Sequence, residues 1–145
     1  MTGGYSAGFG RRFAALIYDA LLLTALLVIF TTASVLLLAR SAIVPENAGL
    51  WAYVYRAALL AIIVAYYVIN WTRSGQTLGM RAWHLRAVDP QGKRMSMRAA
   101  LLRYLYSVLA WAPAALGVLW LYLDPEHLAI HDRLSGTRVV HLKPA

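Results

Sequence analysis

Residues 20–39 run for twenty positions without a charged side chain. About twenty apolar residues in a helix cross the hydrocarbon core of a bilayer, and a helix satisfies its backbone donors and acceptors internally. This run extends back to Phe13 with Asp19 as its only charge, giving a first span over 13–39. A second apolar run covers 50–72 with Arg56 as its only charge, and a third covers 99–123 with Arg103 as its only charge. Composition agrees: 61% of the 145 residues are hydrophobic and 14% are charged. Soluble domains carry roughly 25% charged residues, and one of this size buries only about 70% of its unfolded surface. An ordinary soluble globule, a disordered chain and a collagen-like fibre are excluded. The reading is one integral membrane domain over 1–145.

The first run is too long for the apolar part of a cleaved signal peptide, and Ala33-Ser34-Val35 matches a cleavage site poorly, so it reads as a retained span. In the second run Trp51, Tyr53 and Tyr55 mark one end and Tyr66, Tyr67 and Trp71 the other, the pattern of aromatic belts at two interfaces. The third run contains Pro113 and Gly117, and proline removes a backbone donor and breaks the helix. It is read as a broken hydrophobic helix pair rather than a simple crossing. Arg11 and Arg12 precede the first span, and Arg73, Arg81, Arg86, Lys93, Arg94 and Arg98 follow the second, whereas 40–49 carries only Arg40. The positive-inside rule then makes the N-terminus and the 73–98 loop cytoplasmic and turns 40–49 outward. A broken pair would return the 124–145 tail, with Arg133, Arg138 and Lys143, to the cytoplasm.

Ala82-Trp83-His84-Leu85-Arg86-Ala87-Val88 alternates in the manner of a strand, Asp89-Pro90-Gln91-Gly92 is a turn signal, and a short basic strand is expected to return after it. Gly136-Thr137-Arg138-Val139-Val140-His141-Leu142 also reads as a strand. These segments predict a small cytoplasmic β element.

The chain has no cysteine, which excludes disulfides, thiolate metal sites and a cysteine nucleophile. Its net charge is +8, but the basic residues flank apolar runs, so they read as topology signals and contacts to anionic lipid rather than to nucleic acid. Asp19 is the most informative residue. It lies seven residues after Arg12, about 700° around and roughly 10 Å along a helix, at hydrocarbon depth on nearly the same face. A carboxylate there must be paired, protonated or hydrated. Arg103 lies at matching depth, which suits an Asp19–Arg103 ion pair; a direct Arg12–Asp19 contact would need bent side chains or water. Asp19 is therefore either a proton or cation site or half of a structural pair. Arg12 and Arg103 read as snorkelling anchors. Thr24, Thr31, Thr32 and Ser34 could support packing of the first helix.

His127 and His131 stand i, i+4, but the glutamate that a zincin needs after the first histidine is Leu128, so no metal site is expected. The histidines read as interfacial, and Asp132 as a helix cap or an arginine partner. Ser74-Gly75-Gln76-Thr77-Leu78-Gly79 lacks the Gly-Lys-Ser/Thr of a phosphate loop and reads as a tight turn off a helix end. No nucleophile elbow or cofactor motif is present, so neither an enzyme nor a cofactor is expected.

Four segments together resemble the RDD family of small bacterial membrane proteins, named for one arginine and two aspartates. Ala7-Gly8-Phe9-Gly10-Arg11-Arg12-Phe13-Ala14-Ala15-Leu16-Ile17-Tyr18-Asp19 resembles the family's opening motif, with Arg12 as the arginine and Asp19 as the first aspartate. Gly75-Gln76-Thr77-Leu78-Gly79-Met80-Arg81 is similar to its central turn, with Met80 where lysine is common, and Arg98-Ala99-Ala100-Leu101-Leu102-Arg103 to the start of its third segment. His131-Asp132-Arg133-Leu134-Ser135-Gly136-Thr137-Arg138-Val139-Val140 resembles its closing motif, with Asp132 as the second aspartate. The resemblance implies two core membrane helices and a role suggested to be transport, linked in some members to sodium/proton antiport.

The expected fold is all-α integral membrane, with two full transmembrane helices, a broken third hydrophobic helix pair and a small cytoplasmic β element. Arg12, Asp19 and Asp132 are expected to cluster near the cytoplasmic leaflet, joined by Arg103 and Gln76. The expected function is transport or exchange of small ions, cation or proton, through this intramembrane Arg/Asp cluster in the bacterial inner membrane, and the alternative is a non-transport accessory or scaffold protein that organises a membrane complex or its lipids. A three-segment protomer is too thin to enclose a pathway, so a homo-oligomer or a membrane partner is expected.

Overall fold

A computed structural model describes residues 7–39, 49–111, 120–126 and 128–142. The first element, α1, is Phe9–Ser34, and it runs on as a π-helical turn over Val35–Ala39. The second, α2, is Gly49–Arg73. Both are long and apolar enough to cross a membrane. Their outward faces are apolar and uncovered: Leu37 is 80% exposed and Leu50 78%. Faces of this kind belong in lipid, because a water-soluble surface rarely carries so large an apolar patch.

Three hydroxyls of α1 have hydrogen-bond partners. Thr24 donates to the Ala20 carbonyl at 2.8 Å and Ser34 to the Phe30 carbonyl at 2.7 Å, so these two serve their own helix. Thr31 bonds Tyr55 of α2, beside the stacked Phe30–Tyr55 rings, which joins the two helices far from Asp19. Of the predicted packing hydroxyls, Thr31 is the one that meets another helix through its side chain among the described residues.

Gly75 ends α2. Its φ of +73° is left-handed, and its N–H returns to the carbonyls of Asn70 and Trp71. An added Cβ would stand 2.7 Å from the Ala87 carbonyl oxygen, so the tight turn is also where α2 meets the strand that follows. Thr77 then caps a short helix absent from the sequence reading, α3 (Leu78–Ala82), by accepting the Met80 N–H at 3.2 Å. Ala82 is therefore helical, and the strand β1 starts later, at Leu85–Val88.

The short basic strand expected to return after the Asp89–Gly92 turn does not form. Asp89 closes the turn instead: its carboxylate accepts the Lys93 N–H at 2.7 Å, and its own N–H goes to the Lys93 carbonyl. The chain then enters α4 (Met97–Trp111), with Ser96 accepting the Ala99 N–H. The partner of β1 is the late strand β2 (Arg138–His141), antiparallel with Leu85 opposite His141 and Val88 opposite Arg138. The predicted β element is thus a two-stranded ribbon.

The third apolar run supplies α4, 15 residues and about 22 Å long at helical rise, which is short of a full crossing. Pro113 and Gly117 lie outside the described residues, as do His127 and nearly all of the 40–49 loop. After them come a 3₁₀ turn at Trp120–Tyr122 and a short helix, α5 (Ile130–Leu134). Helix α3 packs on α1 and α4 packs on α2. The Ala7 N–H bonds the Val139 carbonyl at 3.1 Å, so the start of α1, the end of α2 and both strands gather at one end of the protein. Ala7, Ala15, Trp71, Leu85, Ala100 and Val139 form the core there.

Candidate functional site

Two buried carboxylates lie at this end. Asp132, fully enclosed on α5, receives Nη1 of Arg12 on one oxygen and Nη1 of Arg103 on the other, the latter at 2.6 Å. It also accepts the Ala129 N–H at 3.3 Å, so it caps its own helix while it binds two arginines. Arg12 is fixed further by donating Nε to the Ala7 carbonyl at 2.8 Å. Arg103 also donates to Thr137 Oγ1, which shares a hydrogen bond with Ser135, and its guanidinium lies 5.2 Å from the centre of the Trp71 ring. Burial alone would raise the Asp132 carboxyl, but Arg103 and Arg12 outweigh it and hold the group well below the usual carboxylate range.

Asp19 is held differently. It is 3% exposed, and its partners are neutral: the Tyr66 hydroxyl at 2.6 Å, the Thr77 hydroxyl at 2.5 Å and the Gly79 N–H at 2.9 Å. The approach of Gly79 requires glycine, since a Cβ there would stand 2.2 Å from the Ala15 carbonyl oxygen. No basic side chain pairs with Asp19 among the described residues. The Asp19–Arg103 ion pair expected from matching depth is thus replaced by Arg103–Asp132. Position along a helix fixes axial height alone, and Arg103 points to the side where α5 docks.

Four further expectations are decided by the geometry. Arg12 and Arg103 do not snorkel; both are buried in the charge network. Asp19 and Arg12 do not touch through hydrogen bonds, as their separation along the helix required. Gln76 does not join the cluster, because its amide donates to the Leu85 carbonyl at 2.7 Å and pins the turn to β1. His131 is not interfacial: it is buried with Nε2 at 3.5 Å from Asp132. Burial holds its imidazole down to about 3; Asp132 opposes this shift and Arg103 and Arg12 add to it.

The sequence reading missed Tyr66, Thr77 and Gly79 as the partners of Asp19. Thr77 just after a glycine turn and before Leu78 was a signal for a helix N-cap, but nothing local placed that helix beside the first span. It also missed Asp124, which is buried, pairs with Arg133 at 2.8 Å and accepts the Leu128 N–H.

Between α1, α2 and α4 lies a cavity of about 270 Å³, lined by both Asp19 and the guanidinium-bearing residues Arg12 and Arg103. Two apolar helices with lipid-type outer faces, closed at one end by buried charges, define a membrane protein. The chain belongs to the RDD family, whose model matches residues 6–136. Comparison with curated proteins and with solved structures gives no match.

Proposed function

We propose that this RDD-family protein is a non-enzymatic, multi-pass protein of the bacterial inner membrane that exchanges a small cation against a proton at Asp19. The observation that carries the reading is the partner set of Asp19: three neutral donors, no basic group among the described residues, and a position on the wall of a cavity between helices. A buried carboxylate without a fixed counter-charge is stabilised by a proton or a mobile cation. The hydroxyls of Tyr66 and Thr77 can reorient and offer lone pairs when either is bound.

The basic residues of the 73–98 loop support a cytoplasmic site, and the β1–β2 pairing supports a C-terminal strand on the same side as the N-terminus. Anionic lipid headgroups are the fitting neighbours of that face. The exposed faces of α1 and α2 leave room for a second copy or a partner protein to complete a pathway.

One observation favours a second reading. The Arg12–Asp132–Arg103 network joins the first helix to the last thirty residues, as it would in a non-transport scaffold that organises a membrane complex. Everted vesicles separate the two. Collapse of an imposed proton gradient on adding Na⁺, K⁺ or Li⁺ is expected for the wild type and not for equally expressed Asp19→Asn. A wild type that responds to none of the three cations would leave the scaffold reading.

A further inference from the structure

Among the described residues, four buried nitrogens have no hydrogen-bond partner: Arg12 Nη2, Arg103 Nε, Trp71 Nε1 and His131 Nδ1. They come from four different elements, α1, α4, α2 and α5, yet all four residues line the one cavity between α1, α2 and α4. Each of the four residues is less than a tenth exposed. Buried polar atoms are almost always satisfied, and an orphaned N–H forfeits its desolvation without compensation. Four orphans around a single cavity therefore point to something that fills it.

The chemistry of the orphans specifies the filler. Both guanidinium nitrogens and the indole nitrogen are donors only. His131 is neutral near physiological pH, and its Nε2 stands 3.5 Å from the Asp132 carboxylate, which favours the tautomer with the ring proton on Nε2. His131 Nδ1 is then a bare acceptor. The wall thus presents three donors, two of them on guanidiniums that already share the Asp132 carboxylate through other nitrogens, together with one acceptor. The hydroxyls of Tyr67 and Ser107, also on the lining, can play either part. Asp19, on the same lining, adds carboxylate oxygens that tolerate a donor and repel a bare anion.

We infer that this cavity binds a small oxyanion that still carries a hydroxyl, namely hydrogen phosphate or a singly ionised phosphomonoester. Its unprotonated oxygens accept from Arg12, Arg103 and Trp71, and its hydroxyl donates to His131 Nδ1. The cavity has room for one such group or for several waters. Free phosphate and the phosphomonoester headgroup of phosphatidic acid share this chemistry. The inference stands apart from cation exchange, because it is read at equilibrium with no gradient.

The test measures binding of radiolabelled inorganic phosphate to the purified full-length protein in detergent, with sulfate as competitor. In parallel, lipid retention is measured by native mass spectrometry after reconstitution in phosphatidylcholine nanodiscs with and without phosphatidic acid. Sulfate near neutral pH lacks the hydroxyl, so it should compete at least about tenfold more weakly than phosphate, the effect of one lost hydrogen bond at a charged ligand. Trp71→Phe removes one donor and keeps a ring under Arg103. It should weaken binding about tenfold while the Tm without ligand stays near that of the wild type. Phosphate binding with this discrimination assigns the free ion. Retention of phosphatidic acid alone, reduced by Trp71→Phe, assigns the headgroup. Sulfate equal to phosphate, a folded Trp71→Phe with undiminished binding, or binding in neither arm would overturn the inference.

Discussion

Asp19 and Asp132 are both buried at the same end of the protein, and they are stabilised by opposite means. Asp132 sits between two guanidiniums, whereas Asp19 rests on two hydroxyls and a backbone amide. Charge partners fix a carboxylate in its ionised form and make its removal expensive, because the cations stay behind. Neutral donors position a carboxylate equally well and leave its net charge open to compensation by something mobile. The same residue type therefore serves as a rivet in one place and, under the proposed function, as an exchangeable site in the other.

The sharpest way to break this contrast is Asp132→Asn. It strands Arg12 and Arg103 in the interior, and loss of about 3–5 kcal/mol of stability is expected, read as a large drop in Tm in detergent or as failed accumulation. Asp19→Asn keeps an acceptor for Gly79 and should destabilise less. A tolerated Asp132→Asn beside an unfolded Asp19→Asn would reverse the comparison. Next in size is Gly79→Ala, whose methyl collides with the Ala15 carbonyl and pushes α3 off Asp19. It should cost about 1–3 kcal/mol by thermal unfolding, and it should impair Asp19-dependent exchange along with stability.

Acidification probes the riveted side. The His131 pKa is about 3 in the fold, below its ordinary value of 6.5, so between these the unfolded chain binds the extra proton. Stability should fall progressively as pH drops from about 6.5 toward 3, with depressed Asp132 adding to the loss in the lower part of that window. His131→Gln should flatten the upper part of the slope in Tm against pH; an unchanged slope would remove His131 from the network. The smallest effect is expected for Gln76→Ala, which loses one neutral hydrogen bond at the turn. A change of about 0.5–1.5 kcal/mol with exchange intact would confirm that Gln76 belongs to the scaffold of β1 and not to the cluster.

Features written in local sequence were legible. Hydropathy located both long helices to within a few residues, Gly75 announced the turn after α2, and alternation found both strands. Features that depend on rotation about a helix axis or on distant partners were not. Arg103 and Asp19 share a depth, but the choice of Asp132 by Arg103 depends on where residues 130–137 dock, which no period in the sequence encodes. The neutral partners of Asp19 lie 47 to 60 positions away and carry no charge to draw attention to them. The missing third strand was a local error of another kind: Asp89 closes its turn with a side-chain bond, and Ser96 starts a helix before a strand can form.

The bond between Arg12 and Asp132 spans 120 positions of the chain. At about 5–20 residues per second of synthesis, Arg12 is made roughly 6–24 s before the carboxylate that neutralises it. During that interval the first helix carries a guanidinium without its buried partner, and a buried charge stripped of its partner is costly. The buried network around Arg12 can therefore close only after α5 has been made. A chain stopped before Asp132 would leave Arg12 and Arg103 without their shared carboxylate, so this end of the protein is completed late in synthesis.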